Sequence, residues 1–118
     1  MAETYEPTAM TPVKYLAGTS VTIAAGAGVL KAGSVLGKVS ADGKYKLSDD
    51  GASDGSEVPD MILLKAVDAS GTEDVVAPAL KAGVVSDVDL VFGGAHTAAS
   101  VDATLRGKGL YIVSGASA

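Results

Sequence analysis

The chain has 118 residues, 47% of them hydrophobic but only five aromatic, with no cysteine, a single arginine (Arg106) and a formal net charge of −5. That length predicts one domain that buries about two thirds of its unfolded surface, without room for a second core. The charge argues against a nucleic-acid partner, since phosphate binding draws on clustered Lys and Arg, and the missing cysteines exclude disulfides and thiolate metal sites without fixing the compartment.

Met1 to Ser20 contains Pro7, Pro12 and scattered Ser and Thr, with no sustained period of two or 3.6. Such a segment buries too little apolar area to offset its ordering entropy, so residues 1–20 are expected to form a flexible N-terminal arm. Tyr5, Met10, Val13, Tyr15 and Leu16 are apolar handles that a purely solvated tail would not require, and they suit an arm that orders by adding a strand to a partner's edge. Glu3 and Glu6 stand where a secretory leader would carry basic residues, and no apolar run approaches the ~20 residues of a membrane span. The reading is a soluble chain made in a cytoplasm, with no membrane partner.

The domain is expected over residues 21–113. Val21–Ala25 alternates like a strand, Gly26–Gly28 loosens the chain, and Lys31–Gly33 makes a tight bend. Val35–Val39 and Lys44–Leu47 then flank Ser40, Ala41, Asp42 and Gly43, which predicts a β-hairpin: Asp bonds the backbone two residues on, and Gly takes positive φ without steric cost. An acidic loop, Ser48–Asp60, leads to Met61–Val67, the most apolar strand, read as central and turned by Asp68–Gly71. Glu73–Leu80 is predicted as a strand at an edge or bulge, because Pro78 cannot donate to a ladder. Gly83–Val85 and Val88–Phe92 are two more short strands. Val101 and Leu105, four apart, with Ala98, Ala99 and Ala103, predict one short helix over about 97–107, capped by Thr97 or Ser100, with Arg106 on the C-terminal dipole and Gly107 as a left-handed cap. Gly109–Val113 is the last strand and residues 114–118 a small-residue tail. The fold class is mainly β, with one short helix and an arm.

Chemistry is sparse. His96 is the lone histidine, so no His or Cys cluster can form within one chain; a surface histidine in a loop or at the helix start is the plain reading. No GxSxG elbow surrounds any serine. Gly33–Lys38 imitates a phosphate loop, but its glycines are three residues apart where four are needed and Val39 replaces the Ser or Thr. Gly26 and Gly28 begin a dinucleotide fingerprint that Lys31 breaks at the third glycine. Asp50, Asp54 and Gly55 match positions one, five and six of a calcium loop, but Ala52 and Met61 occupy positions three and twelve, so a solvated loop is expected. No catalytic residue, metal or cofactor follows from these patterns.

The ordered series VTIAAGAGVLKAGSVLGKV, hairpin, Asp/Gly loop, apolar strand and late GLYIV, spanning about Val21 to Val113, resembles the head decoration proteins of tailed bacteriophages, the lambda decoration protein D family. The resemblance implies a β-clip fold and a structural protein rather than an enzyme. It implies homotrimers at the three-fold positions of an expanded icosahedral head, clamping the major capsid protein against the pressure of packaged DNA, on the outer surface of a virion assembled in a bacterial host. It implies no small-molecule substrate. Leu30, Gly33, Leu36 and Gly37 fall at the positions on which the family's opening strand and bend depend. The arm, which pairs with a capsid-protein strand in the family, would be Thr4 to about Leu16, with Tyr5, Pro7, Met10, Pro12, Val13, Tyr15 and Leu16 as contacts. The rival reading is a monomeric small-ligand or carbohydrate-binding β-clip module with an aromatic-lined pocket. A lipoyl or biotinyl carrier would need a modifiable lysine such as Lys44 at a hairpin tip, but the neighbours of Lys44 do not match.

Overall fold

A computed structural model describes residues 14–113, and at Val88 the backbone only. Its strands, in chain order, are β1 (Lys14–Ile23), β2 (Gly28–Leu30), β3 (Val35–Lys38), β4 (Tyr45–Leu47), β5 (Pro59–Leu63), β6 (Val67–Ala69), β7 (Val75–Ser86) and β8 (Leu110–Val113), with one α-helix, α1 (Ala98–Arg106), before β8. The fold is mainly β with one short helix.

The β3–β4 hairpin forms as its turn residues require. Leu36 lies opposite Leu47 and Lys38 opposite Tyr45. Asp42 Oδ1 accepts the Lys44 N–H at 3.0 Å, and Gly43 has φ +73°. The ladder order β1-β4-β3-β5-β7 is closed by β1–β7 pairing, so five strands make a ring, with β8 laid parallel on β7 and β2–β6 as a separate two-stranded ribbon.

The centre of this ring is buried on both faces. Val35, Ile62 and Leu80 pair in line across β3, β5 and β7, and they pack with Val85, Leu90, Leu110 and the helix residues Val101 and Leu105. Their neighbours Leu36, Leu63 and Ala79 point the other way, toward Val21, Ile23, Leu30 and Tyr45. Successive strand residues face opposite sides, so two adjacent apolar residues on each strand supply two cores at once. The expectation that there is no room for a second core is thus corrected: one domain carries two buried clusters because they share a sheet.

Other expectations shift. Residues 14–20 of the anticipated arm belong to β1 and are held along their length by β7. Glu73–Leu80 is not at an edge: β7 runs unbroken from Val75 to Ser86 between β1 on one side and β5 and β8 on the other. Pro78 is tolerated because its carbonyl accepts the Leu64 N–H at 3.0 Å, just past the end of β5, and a residue's N and C=O face the same side of a strand. Its nitrogen therefore faces a position that β5 no longer fills with a ladder acceptor. Met61–Val67 is central but splits: β5 stops at Leu63, and Asp68 and Ala69, expected in a turn, belong to β6. Val88–Phe92 is not a strand: Asp87–Asp89 is a 3₁₀ turn, and only Val91 bridges Ser34. The helix has Thr97 as N-cap with a reciprocal Ser100 box, but Gly107 is right-handed (φ −64°) and the chain reverses at Gly109 (φ +95°).

Two glycines admit close backbone approach. A Cβ on Gly33 (φ +91°) would lie 1.9 Å from the Asp89 carbonyl oxygen, and one on Gly37 would lie 1.9 Å from that of Ser56. Neither neighbour is a flexible side-chain tip, so alanine there must displace backbone. Gly37→Ala is expected to destabilise the domain by about 3 kcal/mol, comparable with the ~2–5 kcal/mol of a cavity such as Leu105→Ala. Urea unfolding checks both; a Gly37→Ala midpoint equal to the native one would contradict the close approach.

Candidate functional site

β1 is the longest stretch of strand whose outer side lacks a continuous partner among the described residues. Its inner side pairs with β7 from Lys14 to Ile23, but its outer side meets β4 only at Ile23 opposite Tyr45, where the Ala24 N–H donates to the Tyr45 carbonyl at 2.9 Å. Amide direction alternates along a strand, so Thr22 and Ser20 also turn their N–H and C=O groups away from β7. Ser20 lies opposite Pro78, whose own carbonyl points to the β5 side, which is the same geometry seen from the partner strand. The result is an open edge that can accept another strand.

The sequence shapes this edge locally. Register shifts between Tyr15, Ala17 and Gly18 bulge the ribbon, and the Tyr15 ring lies over Gly18, where a Cβ would collide with its hydroxyl. Tyr15 and Leu16 are 56% and 57% exposed, large apolar side chains held on a fixed strand. Val76 and Tyr111 add further exposed apolar surface on β7 and β8.

Ionic braces hold the opposite end of the ribbon. Asp74 accepts the Ala25 N–H at 2.9 Å and pairs with Lys44 at 2.7 Å, tying the end of β1, the hairpin tip and the start of β7 together. The Lys44 hydrogen bond holds the Asp74 carboxyl below its usual range. On β5, Asp60 accepts from the Tyr45 hydroxyl at 2.8 Å and pairs with Lys108 at 2.8 Å. Burial opposes ionisation of Asp60, but the bonds from Lys108 and Tyr45 outweigh it and its pKa falls. Burial, with the same carboxylate beside it, pushes the Tyr45 hydroxyl up to about 12.

The acidic loop is exposed or half-buried at most positions, and its carboxylates accept hydrogen bonds from its own backbone and from the segment before α1. Asp49 accepts from Gly51 N–H, Asp54 from Ser56 and Lys46, Glu57 from Gly55, and Asp50 reaches across to Ala95 N–H at 2.8 Å. His96 stands just before the helix cap, half-buried, with Nε2 3.0 Å from the Glu57 carbonyl and Nδ1 3.1 Å from Ser100 Oγ. It fastens the acidic loop to the helix. Among the described residues no cluster of His, Asp or Glu is placed to hold a metal, and no helix is long and apolar enough to cross a membrane. A surface cleft of about 430 Å³, bordered by Lys46, Leu47, Asp49 and Gly94, carries no aromatic ring.

Of the residues singled out in the sequence, Leu30 and Leu36 are core, Gly33 and Gly37 sit under neighbouring carbonyls, and Tyr15 and Leu16 flank the open edge. Tyr5, Pro7, Met10, Pro12 and Val13 lie outside the described residues. The edge itself was not legible, since only the β7 partnership of residues 14–20 reveals it. A family model for the bacteriophage lambda head decoration protein D matches residues 9–109. The chain belongs to that family. The match takes in the last part of the anticipated arm, including Met10, Tyr15 and Leu16, and stops just before β8. Comparison with curated proteins gives no match. As a member of this structural family, the head decoration protein binds the phage capsid and is located on the virion.

The Tyr45–Asp60 contact sets a pH signature. A hydroxyl whose pKa is raised on folding stabilises fully below its unfolded value of 10.0, and that contribution is lost as pH rises through about 12. Urea stability of the native protein should therefore fall more steeply between those values than that of Tyr45→Phe; parallel profiles would contradict the assignment.

Proposed function

We propose that this decoration protein cements the expanded phage head: homotrimers sit on the three-fold positions, and the N-terminal segment adds a strand to the major capsid protein, holding neighbouring subunits against internal DNA pressure. The observation that carries this reading is the open edge of β1 beside exposed Tyr15 and Leu16, at the end of the chain where thirteen further residues precede Lys14. An edge strand offers unpaired amides and carbonyls to which a partner's strand can be added. The family match runs into that region, to residue 9.

The energetics favour many weak contacts. A single added strand and two apolar anchors bind modestly, but three copies linked in one trimer raise the effective concentration of each remaining contact once the first engages. A ligand that binds only the expanded lattice stabilises that lattice by mass action. A mainly aliphatic core of modest stability also gains from burial of Val76, Tyr111 and Leu16 against other chains.

The test is co-sedimentation with expanded, decoration-free heads and with unexpanded procapsids, comparing the full chain with a variant lacking residues 1–13. The full chain should saturate expanded heads alone at a copy number divisible by three, and the truncated protein should remain folded and bind at least about tenfold more weakly. Equal saturation by the truncated protein would overturn the role of the arm, and a copy number not divisible by three would overturn the trimer.

A further inference from the structure

The chain is acidic overall, yet its open edge is not. Four basic side chains are neutralised by aspartates: Lys44 by Asp74, Lys46 by Asp54, Arg106 by Asp102 and Lys108 by Asp60. Lys14 on β1 and Lys81 on β7 are exposed and have no ion-pair partner among the described residues. Neither strand contains a single carboxylate. Lys14 lies opposite Val84, and Lys81 is the extra residue of the bulge, between Leu80 opposite Gly18 and Ala82 opposite Ala17. The ribbon that bears the unpaired amides of β1, with Tyr15 and Leu16, is therefore a local patch of positive charge on a molecule of net charge −5.

We infer that the open edge of β1 receives an extended, carboxylate-bearing segment of the capsid shell, with Lys14 and Lys81 selecting it by charge. This rests on the reading that the N-terminal side of the domain attaches by strand addition, and it specifies the chemistry of what is attached. A strand edge bonds an extended polypeptide through its backbone amides and carbonyls, which favours a protein segment over a nucleic acid. The acidic loop of a second copy does not fit, because it is folded back on itself: Asp49, Asp50, Asp54 and Glu57 already accept backbone N–H bonds from Gly51, Ala95, Ser56 and Gly55. Complementary charge steers encounter and rejects wrong partners more than it adds affinity at equilibrium, so a salt-sensitive association is expected.

The experiment measures binding of the full chain to expanded heads across about 50 to 200 mM salt, for the native protein, the Lys14→Glu/Lys81→Glu double variant, Lys31→Glu as a control at an exposed bend away from the ribbon, and Ser20→Pro. The double variant should bind about tenfold or more weakly, with the salt dependence reversed or flattened, and the control should match native protein. Ser20→Pro removes an outward N–H without touching the β7 ladder, so it should keep the native melting temperature and lose binding. Native affinity and salt dependence in the double variant would overturn the acidic partner. If that result accompanied loss of binding on removing residues 1–13, attachment through the N-terminal side would stand and only the charge selection would fall. Altered self-association of the double variant in the absence of heads would assign the edge to a second copy and equally overturn the proposal.

Discussion

Adjacent apolar residues on three strands hold this domain together. Val35 and Leu36, Ile62 and Leu63, and Ala79 and Leu80 are all fully buried, and each pair sends one side chain to the helix side and one to the β1 side of the same sheet. A one-residue slip of β3, β5 or β7 would exchange the two cores, so the register is fixed from both faces. Gly37 lets the Ser56 carbonyl close over β3, and Gly33 brings Asp89 against the bend before it. With so few aromatics, an aliphatic chain reaches a fixed register by burying both faces of a short central sheet.

That arrangement determines which surfaces remain. β8 and α1 cover one face, and β2, β6 and β4 close around the other, but among the described residues β1 has strand partners only in β7 and, at its last residue, β4. The free side of β1 is thus a consequence of ring closure: the strand joins at both ends of the ladder order, yet β4 is only three residues long and meets β1 only at Ile23, which leaves the rest of the outer side of β1 without a strand partner among the described residues. Natural domains usually blunt such an edge with charge, proline or a bulge. Here Lys14 and the bulge near Ala17 are the only such devices on β1, and two large apolar residues beside them, Tyr15 and Leu16, are exposed.

The local rules recovered what local chemistry determines. The Asp42–Gly43 hairpin, the Gly33 bend, the Thr97 cap and the Val101/Leu105 stripe depend on residues within a few positions of one another, and all four are present. What escaped depends on long-range pairing. Period-two alternation is hidden at residues 14–20 because that part of β1 is exposed on both sides, so polar and apolar residues carry no burial signal. Pro78 misled because its nitrogen happens to face the gap beyond Leu63, a fact of three-dimensional register. Gly107 does cap the helix, but in a right-handed conformation, and the positive φ falls two residues later, at Gly109, just before Leu110 enters the core. The Asp60 bridge between Tyr45 and Lys108 joins residues 15 and 48 positions away, beyond any motif.

The proposed attachment brings the open edge of β1 against the shell. Cryo-electron microscopy of decorated expanded heads tests it most directly. A shell strand should lie hydrogen-bonded alongside residues 18–22, with Tyr15 and Leu16 buried against the shell. A map in which α1 or the β2–β6 ribbon faces the shell while the β1 edge remains in solvent would contradict it.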